Sequence, residues 1–258
     1  WGDIPYSSFG GSNAIFDAGK ADQGVIYAQY AKQELIYADL LKELKEASDQ
    51  LNTGSSAFAS GDAIYKGNAL KWKKFANSLS LRIANRVRSK LNEADNRIKE
   101  ILANPAQYPI FESNDDNALL AFETNAPNQA PFYKATTLAN RNDYAVSNVF
   151  VDFLQGKKAV FPVQDPRLSV YAQPNSKGNY VGQYYGMDMF TASLVSPDSV
   201  SKPGAAFYKS DYKEVLMEYA EVQFILSEYK NWDQQHYLNG IRASMQKWGI
   251  SNVAVDSY

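Results

Sequence analysis

The sequence contains no cysteine and only one histidine, His236. Without cysteine the chain has no disulfide bond, no thiolate zinc site and no cysteine nucleophile. With one histidine it has no multi-histidine metal site, and a triad that uses histidine as base would have to use His236. We therefore predict neither a metal nor a cofactor.

The sequence also lacks a long apolar run and an excess of basic residues. Mean hydropathy is −0.42, and 26 Lys and Arg face 28 Asp and Glu, for a formal net charge of −2. These values predict neither an integral membrane protein nor a nucleic-acid-binding one. With 258 residues, 45% of them hydrophobic, the chain is long enough for one large domain with a substantial core.

Both ends of the sequence look internal to a longer protein. It begins at Trp1 with no initiator methionine and no basic-then-apolar signal segment, and it stops at Tyr258 soon after a helical pattern. We expect any targeting signal to lie outside this sequence.

Aromatic residues are unusually frequent, at 14%, and the 18 tyrosines outnumber the 13 phenylalanines. Tyrosine buries a ring while keeping a polar tip for water or a ligand, which suits the apolar C–H faces of carbohydrates. Tyrosine is also common in the cores of helical repeats, so this observation alone leaves both possibilities open.

Hydrophobic periodicity predicts a mainly α protein. We predict helices over 25–51, 68–91, 146–154, 212–229 and 233–248, and one from Glu93 with Asn92 as its cap. In the first helix the predicted apolar face is Ile36, Leu40, Leu44, Ala47 and Leu51. In the second it is Trp72, Phe75, Ala76, Leu79, Ile83 and Val87, and in the last Tyr237, Ile241, Met245 and Trp248. Residues 118–124 are predicted to form a short strand or an extended arm.

The arrangement of these helices predicts a helical-repeat scaffold that carries a face built from loops. Helix pairs occupy about 25–91 and 212–248, and a loop-rich region of about 105–210 separates them. Long irregular segments that are rich in aromatic residues are more often functional than disordered. The tetratricopeptide consensus is not matched residue by residue.

Seven short strings, in order along nearly the whole chain, resemble the SusD/RagB family, and specifically its SusD-like subgroup. The strings are Trp1–Ser7, Leu70–Leu79, Ser113–Ala118, Arg141–Asp143, Asp165–Leu168, Tyr219–Ile225 and Gly240–Met245. Members of the family are about twice as long, so the resemblance implies that the lipid-bearing cysteine, the first helices and a C-terminal segment lie outside this sequence.

The resemblance implies a single SusD-like domain over residues 1–258, with a tetratricopeptide-like scaffold of helix pairs and long irregular loops that form the ligand face. It implies a lipoprotein on the surface of the outer membrane of Bacteroidetes-type bacteria. Such a protein captures oligosaccharides or other nutrients and delivers them to a TonB-dependent, SusC-like transporter.

The candidate ligand-binding residues lie mainly in the loops. Arg141, Asn142 and Asp143 concentrate hydrogen-bonding groups that could bind sugar hydroxyls, although Arg141 and Asp143 could equally well fix the loop to the scaffold. The candidates for stacking on a sugar ring are Trp1, Tyr6, Tyr180, Tyr184 and Tyr185, and some of these could instead be core or transporter-contact residues.

The remaining polar motifs have simpler explanations. Asp115 and Asp116 lack the layout of a calcium loop, so a turn or cap is the expected role. His236 is expected at the surface or between helices, and Asp165–Leu168 is expected to be structural. The basic residues of the second helix are expected to form a solvated face; they are Lys71, Lys73, Lys74, Arg82, Arg86 and Arg88.

These observations predict a non-catalytic, cell-surface glycan-binding protein. A glycoside hydrolase that uses a carboxylate pair, and a helical-repeat scaffold that binds only protein, are the alternatives.

Overall fold

The computed structural model describes residues 2–6, 30–54, 60–158, 162–251 and 255, and the described residues are mainly helical, as predicted. The helices are α1 (Gln33–Gln50), α2 (Ala69–Val87), α3 (Asn92–Ala103), α4 (Pro131–Tyr133), α5 (Asn148–Leu154), α6 (Leu168–Tyr171), α7 (Met189–Ser193), α8 (Tyr219–Tyr229) and α9 (Gln234–Lys247). Strands β1 (Ile4–Pro5) and β2 (Tyr30–Ala31) pair antiparallel, with Ile4 opposite Ala31, and β3 (Ala118–Ala121) pairs with β4 (Lys213–Met217).

The chain divides into two compact units. The first comprises Trp1–Ala118 and Met217–Gly240, and the second comprises Leu119–Leu216 and Ile241–Tyr258. That residues 1–258 act as one SusD-like domain stays a prediction.

The first unit is built on the predicted helix pair α1–α2, with α3 and α8 also packed on α2. Helix α2 begins where the Asn68 side chain accepts a hydrogen bond from the backbone N–H of Lys71 at 3.0 Å, which is a standard cap. Leu81 and Ala84 of α2 are fully buried, together with Ile98 and Ile101 of α3 and Val222 of α8. Trp72 and Phe75 pack against this cluster, as predicted for core residues.

The apolar face of α1 differs from the predicted one. Leu41 and Ser48 are buried, whereas Leu40 is only half-buried and Ala47 is exposed. The helix therefore packs on its neighbours with a slightly different side than predicted. Ser48 takes the core position that the periodicity had assigned to Ala47.

Three predicted element starts are wrong. Helix α1 begins at Gln33 and not at 25, since Tyr30–Ala31 is a strand. Asn92 is the first residue of α3 and not its cap; the cap position is Leu91, whose side chain makes no capping hydrogen bond. Residues 213–217 form β4, and α8 begins only at Tyr219. Val215 and Met217 point inward on alternate positions of β4, which is the two-residue period of a strand and not a helical one.

The second unit has a smaller core of Leu154, Leu168 and Ala172. Gly156 follows α5 with a φ of +69°. Only glycine adopts this conformation without strain, and a Cβ there would lie 2.7 Å from the Val163 carbonyl carbon. The structural role predicted for Asp165–Leu168 is confirmed, since the guanidinium of Arg167 grips both carboxylate oxygens of Asp165 at 2.9 and 2.5 Å.

The Asp115–Asp116 segment forms the predicted turn, a short 3₁₀ helix that Ser113 caps. Asp116 is buried there and accepts hydrogen bonds from the Glu112 backbone N–H at 2.8 Å and from the Lys74 ammonium at 2.9 Å. Lys74 is thus buried and not part of a solvated face, because a carboxylate 42 residues later in the chain pairs with it.

Candidate functional site

The structure brings a loop that carries two exposed tyrosines onto a rigid base in the second unit. The backbone N–H of Gln183 donates to the Val146 carbonyl, and the N–H of Asn148 donates back to the Gln183 carbonyl, both at 2.8 Å. The Ser201 N–H binds the Val181 carbonyl at 2.7 Å. Two other chain segments therefore support the base of this loop.

At the tip of the loop, the Tyr184 side chain is 72% exposed and that of Tyr185 is 87% exposed. The N–H of Tyr185 is tied to the Asn148 side-chain oxygen at 3.2 Å. Gly182 allows the close approach, since a Cβ there would lie 2.4 Å from the Asn148 Cα. The backbone of the tip is thus anchored while both rings face solvent.

Further apolar side chains follow directly in sequence. Met189, Phe190 and Leu194, on and just after α7, are 89%, 73% and 70% exposed. We call residues 184–194 the aromatic loop. Large exposed apolar side chains in such density mark an interaction surface more often than chance exposure.

The Asp188 carboxylate within this loop caps α7 and accepts from the Thr191 N–H at 3.0 Å and from its hydroxyl at 2.5 Å. The hydrogen bonds from Thr191 hold the pKa of Asp188 below its ordinary value. This carboxylate is therefore committed to shaping the loop.

Arg141 and Asp143 bind each other in the structure. The guanidinium Nε and Nη2 of Arg141 donate to the two carboxylate oxygens of Asp143 at 3.0 and 2.6 Å, and both side chains are more than half exposed. The hydrogen bond lowers the pKa of Asp143 and raises that of Arg141. The Arg141 guanidinium lies 5.0 Å from the centre of the Tyr144 ring.

The segment that holds these residues is fixed by its neighbours. The Tyr144 ring packs edge-on against Phe132 at 4.9 Å, and the backbone carbonyl of Asn142 accepts a hydrogen bond from Lys202. The side chain of Asn142 is exposed. Arg141, Asn142 and Asp143 thus present polar groups to solvent from a fixed loop in the same unit as the aromatic loop.

The other predicted stacking residues are placed differently. The Tyr180 ring is half-buried and packs against the small core of the second unit. Tyr6 belongs to the first unit, where its hydroxyl donates to the Asp39 carboxylate at 3.1 Å; burial and this carboxylate raise the pKa of Tyr6 to about 12. Trp1 lies outside the described residues.

His236 lies between helices, as predicted. Its Nδ1 is 2.9 Å from the Gln223 side-chain oxygen of α8, and its Nε2 is 2.9 Å from the Lys230 ammonium. Burial lowers the pKa of His236, and the neighbouring Lys230 charge acts in the same direction. These contacts hold α9 against α8.

The sequence reasoning missed a cleft of about 330 Å³ in the second unit. Its wall includes Tyr212 from the segment before β4 and Lys247 and Trp248 from the end of α9. No local pattern joins residues so far apart in sequence, and Trp248 was predicted only as part of an apolar stripe. No group of three or more possible metal ligands occurs among the described residues.

In the part of the chain that the structure describes, every helix is too short or too polar to span a bilayer.

Comparisons with a family model and with solved structures point to the same family. A SusD-like family model, described as starch-binding and associating with the outer membrane, matches residues 1–258. A SusD homologue from Bacteroides uniformis ATCC 8492 is 26% identical with a TM-score of 0.77, and the match covers 100% of this chain and 51% of that one. No curated protein matches the chain.

Two further solved structures share the fold. A chitin-binding protein is 24% identical with a TM-score of 0.73, over 100% of this chain and 56% of that protein. A SusD homologue from Bacteroides fragilis NCTC 9343 is 23% identical with a TM-score of 0.74, over 100% of this chain and 58% of that one. The chain spans about half the length of the structures it matches.

Proposed function

The chain belongs to the SusD-like family, and from this premise we propose that it is a non-catalytic glycan-binding protein of the outer-membrane surface. In the whole protein a lipid anchor holds it to the membrane, and it passes its ligand to a TonB-dependent, SusC-like transporter. Nucleic acid is not a ligand. The family description as starch-binding, and a chitin-binding protein among the structures that share the fold, support an oligosaccharide as the ligand.

The observation that carries this proposal is the pair of exposed tyrosines on a braced loop. A ring that protein contacts hold in place loses little conformational freedom when a sugar stacks on it, so more of the contact energy appears as affinity. Tyr184 and Tyr185 supply the stacking surface, and Arg141, Asn142 and Asp143 supply hydrogen bonds to hydroxyl groups. Trp1, Tyr6 and Tyr180 stay predicted contributors.

Five carboxylates of the described residues are unsuited to the acid role in glycoside hydrolysis. A glycoside hydrolase needs a carboxylic acid whose pKa is raised, so that it can protonate the leaving oxygen. Among the described residues, the carboxylates with a shifted pKa are all shifted downward; they are Asp62, Asp95, Glu100, Asp143 and Asp188. A carboxylate with a lowered pKa is ionised at neutral pH and cannot act as the acid.

The test is a binding screen of the protein by affinity electrophoresis, with starch, chitin oligosaccharides and plant polysaccharides. We expect retardation by one glycan class, and Tyr184→Ala and Tyr185→Ala each to weaken binding by about 2- to 10-fold, the value of one aromatic contact. Tyr30→Ala is the matched control, because Tyr30 is also 69% exposed but lies in the first unit.

Equal weakening by Tyr30→Ala, or full binding by the double variant at 184 and 185, would refute the assignment of the face. Release of reducing sugar during the screen would instead support the hydrolase alternative. Tight binding to the transporter without binding to any glycan would support the protein-only scaffold.

A further inference from the structure

The cleft in the second unit has the size and lining of a small ligand site. Its volume of about 330 Å³ falls at the lower end of the range of about 300–1,000 Å³ that ligand pockets occupy. The residues that matter for its chemistry are Lys209, Asp211, Tyr212, Lys213, Lys247 and Trp248. A single sugar ring fits such a space better than a long polymer segment does.

Its aromatic wall is held in place by neighbouring rings. The Trp248 ring lies 5.3 Å from Tyr171 in an edge-on arrangement and 5.7 Å from Phe207. Phe207 also packs on Tyr212 at 5.4 Å, so the two aromatic residues of the wall share one support. Rings fixed in this way offer a preformed apolar surface.

The polar lining is basic on balance, although the whole chain carries a net charge of −2 and the Glu214 carboxylate lies close enough to act on Lys247. Three lysines and one aspartate line the cleft. Lys209 and Lys213 are exposed, and among the residues that the structure describes neither forms an ion pair. Like charges gathered at one concave surface raise the local concentration of ligands of opposite charge.

Lys247 differs from the other two lysines because it is half-buried. Its ammonium lies 4.7 Å from the centre of the Trp248 ring. Burial lowers the pKa of Lys247 to about 8, although the nearby Glu214 acts in the opposite direction. A partly desolvated ammonium that is still charged at neutral pH gains more from a bound anion than an exposed one does.

We propose that this cleft binds a sugar ring that carries a carboxylate, that is, a uronic acid. The ring lies against Tyr212 and Trp248, and its carboxylate faces the ammonium groups of Lys213 and Lys247. The inference rests on the proposed function in one respect, that the ligands of this protein are glycans. It adds a second site, distinct from the aromatic loop, with a preference for acidic units.

Isothermal titration of the protein with tetragalacturonate and with its methyl ester tests this proposal. The ester keeps the rings and removes the charge. We expect the acid to bind about tenfold more tightly than the ester, and Lys213→Gln and Lys247→Gln each to lose most of that difference. Lys177→Gln is the control, because Lys177 is an exposed lysine of the same unit outside the cleft.

Circular dichroism identifies any variant that fails to fold. If Lys247→Gln fails to fold, Lys213→Gln, at an exposed position, still tests the proposal. Equal affinities for acid and ester overturn the proposal, and so does an equal loss in the control. Acetate binding to the cleft as tightly as tetragalacturonate does would also overturn the proposal, because the cleft would then bind any small anion.

The outcome separates this proposal from the proposed function. If neutral glycans bind in a manner that depends on Tyr184 while the acid shows no preference, only the uronic acid site fails. If neither neutral nor acidic glycans bind, both proposals fail.

Discussion

Replacing Lys74 with methionine tests how the first unit is held together. The Lys74 ammonium lies 2.9 Å from an Asp116 carboxylate oxygen and 2.6 Å from Glu112. The Lys74 and Asp116 side chains are only 11% and 8% exposed, whereas that of Glu112 is 73% exposed. Burial lowers the pKa of Lys74, but its hydrogen bonds to Glu112 and Asp116 outweigh that effect, so the ammonium stays charged.

The cost of Lys74→Met comes almost entirely from Asp116. Glu112 can return to water, but the Asp116 carboxylate is left buried, and within the described ranges its remaining hydrogen bond comes from the Glu112 N–H. Removing one member of a buried ion pair lowers the free energy of unfolding by about 3–5 kcal/mol. Because the Glu112 N–H still binds the Asp116 carboxylate, we expect a loss at the lower limit, about 3 kcal/mol. With an unfolding entropy of about 2.1 cal/mol/K per residue, this loss lowers Tm by about 6 °C if the whole chain unfolds together.

Urea denaturation followed by circular dichroism measures the free energy of unfolding. Lys73→Met is the matched control, with the same change at the neighbouring position of α2, and we expect it to stay within about 0.5 kcal/mol of the natural protein. Adding Asp116→Asn to Lys74→Met should restore at least about 1 kcal/mol, because it removes the uncompensated charge. A loss below about 1 kcal/mol for Lys74→Met, or no recovery in the double variant, would refute this reasoning.

Two further predictions concern loops. Burial raises the pKa of Asp62, but hydrogen bonds from three backbone N–H groups and the Trp72 indole outweigh it and lower the pKa to about 2. Asp62→Asn should cost about 2 kcal/mol at pH 7 in urea denaturation, since its amide would face the indole donor. The stabilisation by the ionised carboxylate is present above the ordinary pKa of 3.8 and is lost as pH falls through about 2. The free energies of unfolding of the natural protein and of Asp62→Asn should therefore converge over that interval, and a difference that stays constant with pH would contradict this prediction. Gly182→Ala should weaken glycan binding at least as much as Tyr184→Ala, because its Cβ would displace the Asn148 backbone. Gly54→Ala is the comparison, since Gly54 has no positive φ and its Cβ would meet only the Asn52 side-chain oxygen, at 3.3 Å; equal effects of the two glycine variants on glycan affinity would argue against the clash.

The candidate binding residues show how far sequence reasoning reaches. Tyr184 and Tyr185 were predicted as stacking residues from their place in a loop, and both are exposed in the structure, since exposure in a loop depends on few distant residues. The same reasoning could not separate Tyr180 from that pair. Its ring packs on Leu154, Leu168 and Ala172, and no pattern near residue 180 shows that these will be its neighbours.

The sequence by itself determined the mainly helical fold and the family, because periodicity of three to four residues and ordered local strings are properties of consecutive positions. It predicted α5 and α9 to within two residues at each end and the start of α2 to within one, but α2 ends at Val87, four residues before the predicted end. It could not predict that 213–217 would form a strand, since a short apolar run becomes a strand when a partner such as β3 is available.

Only the tertiary structure decided which charges are buried and where the cleft lies. Lys74 lies in a row of lysines that a helical pattern assigns to solvent, and it is buried because folding brings Asp116 beside it. The cleft joins residues near 210 to Lys247 and Trp248. The physical reason is the same in both cases: electrostatic and packing energies depend on distances in space, and positions along the chain do not specify those distances.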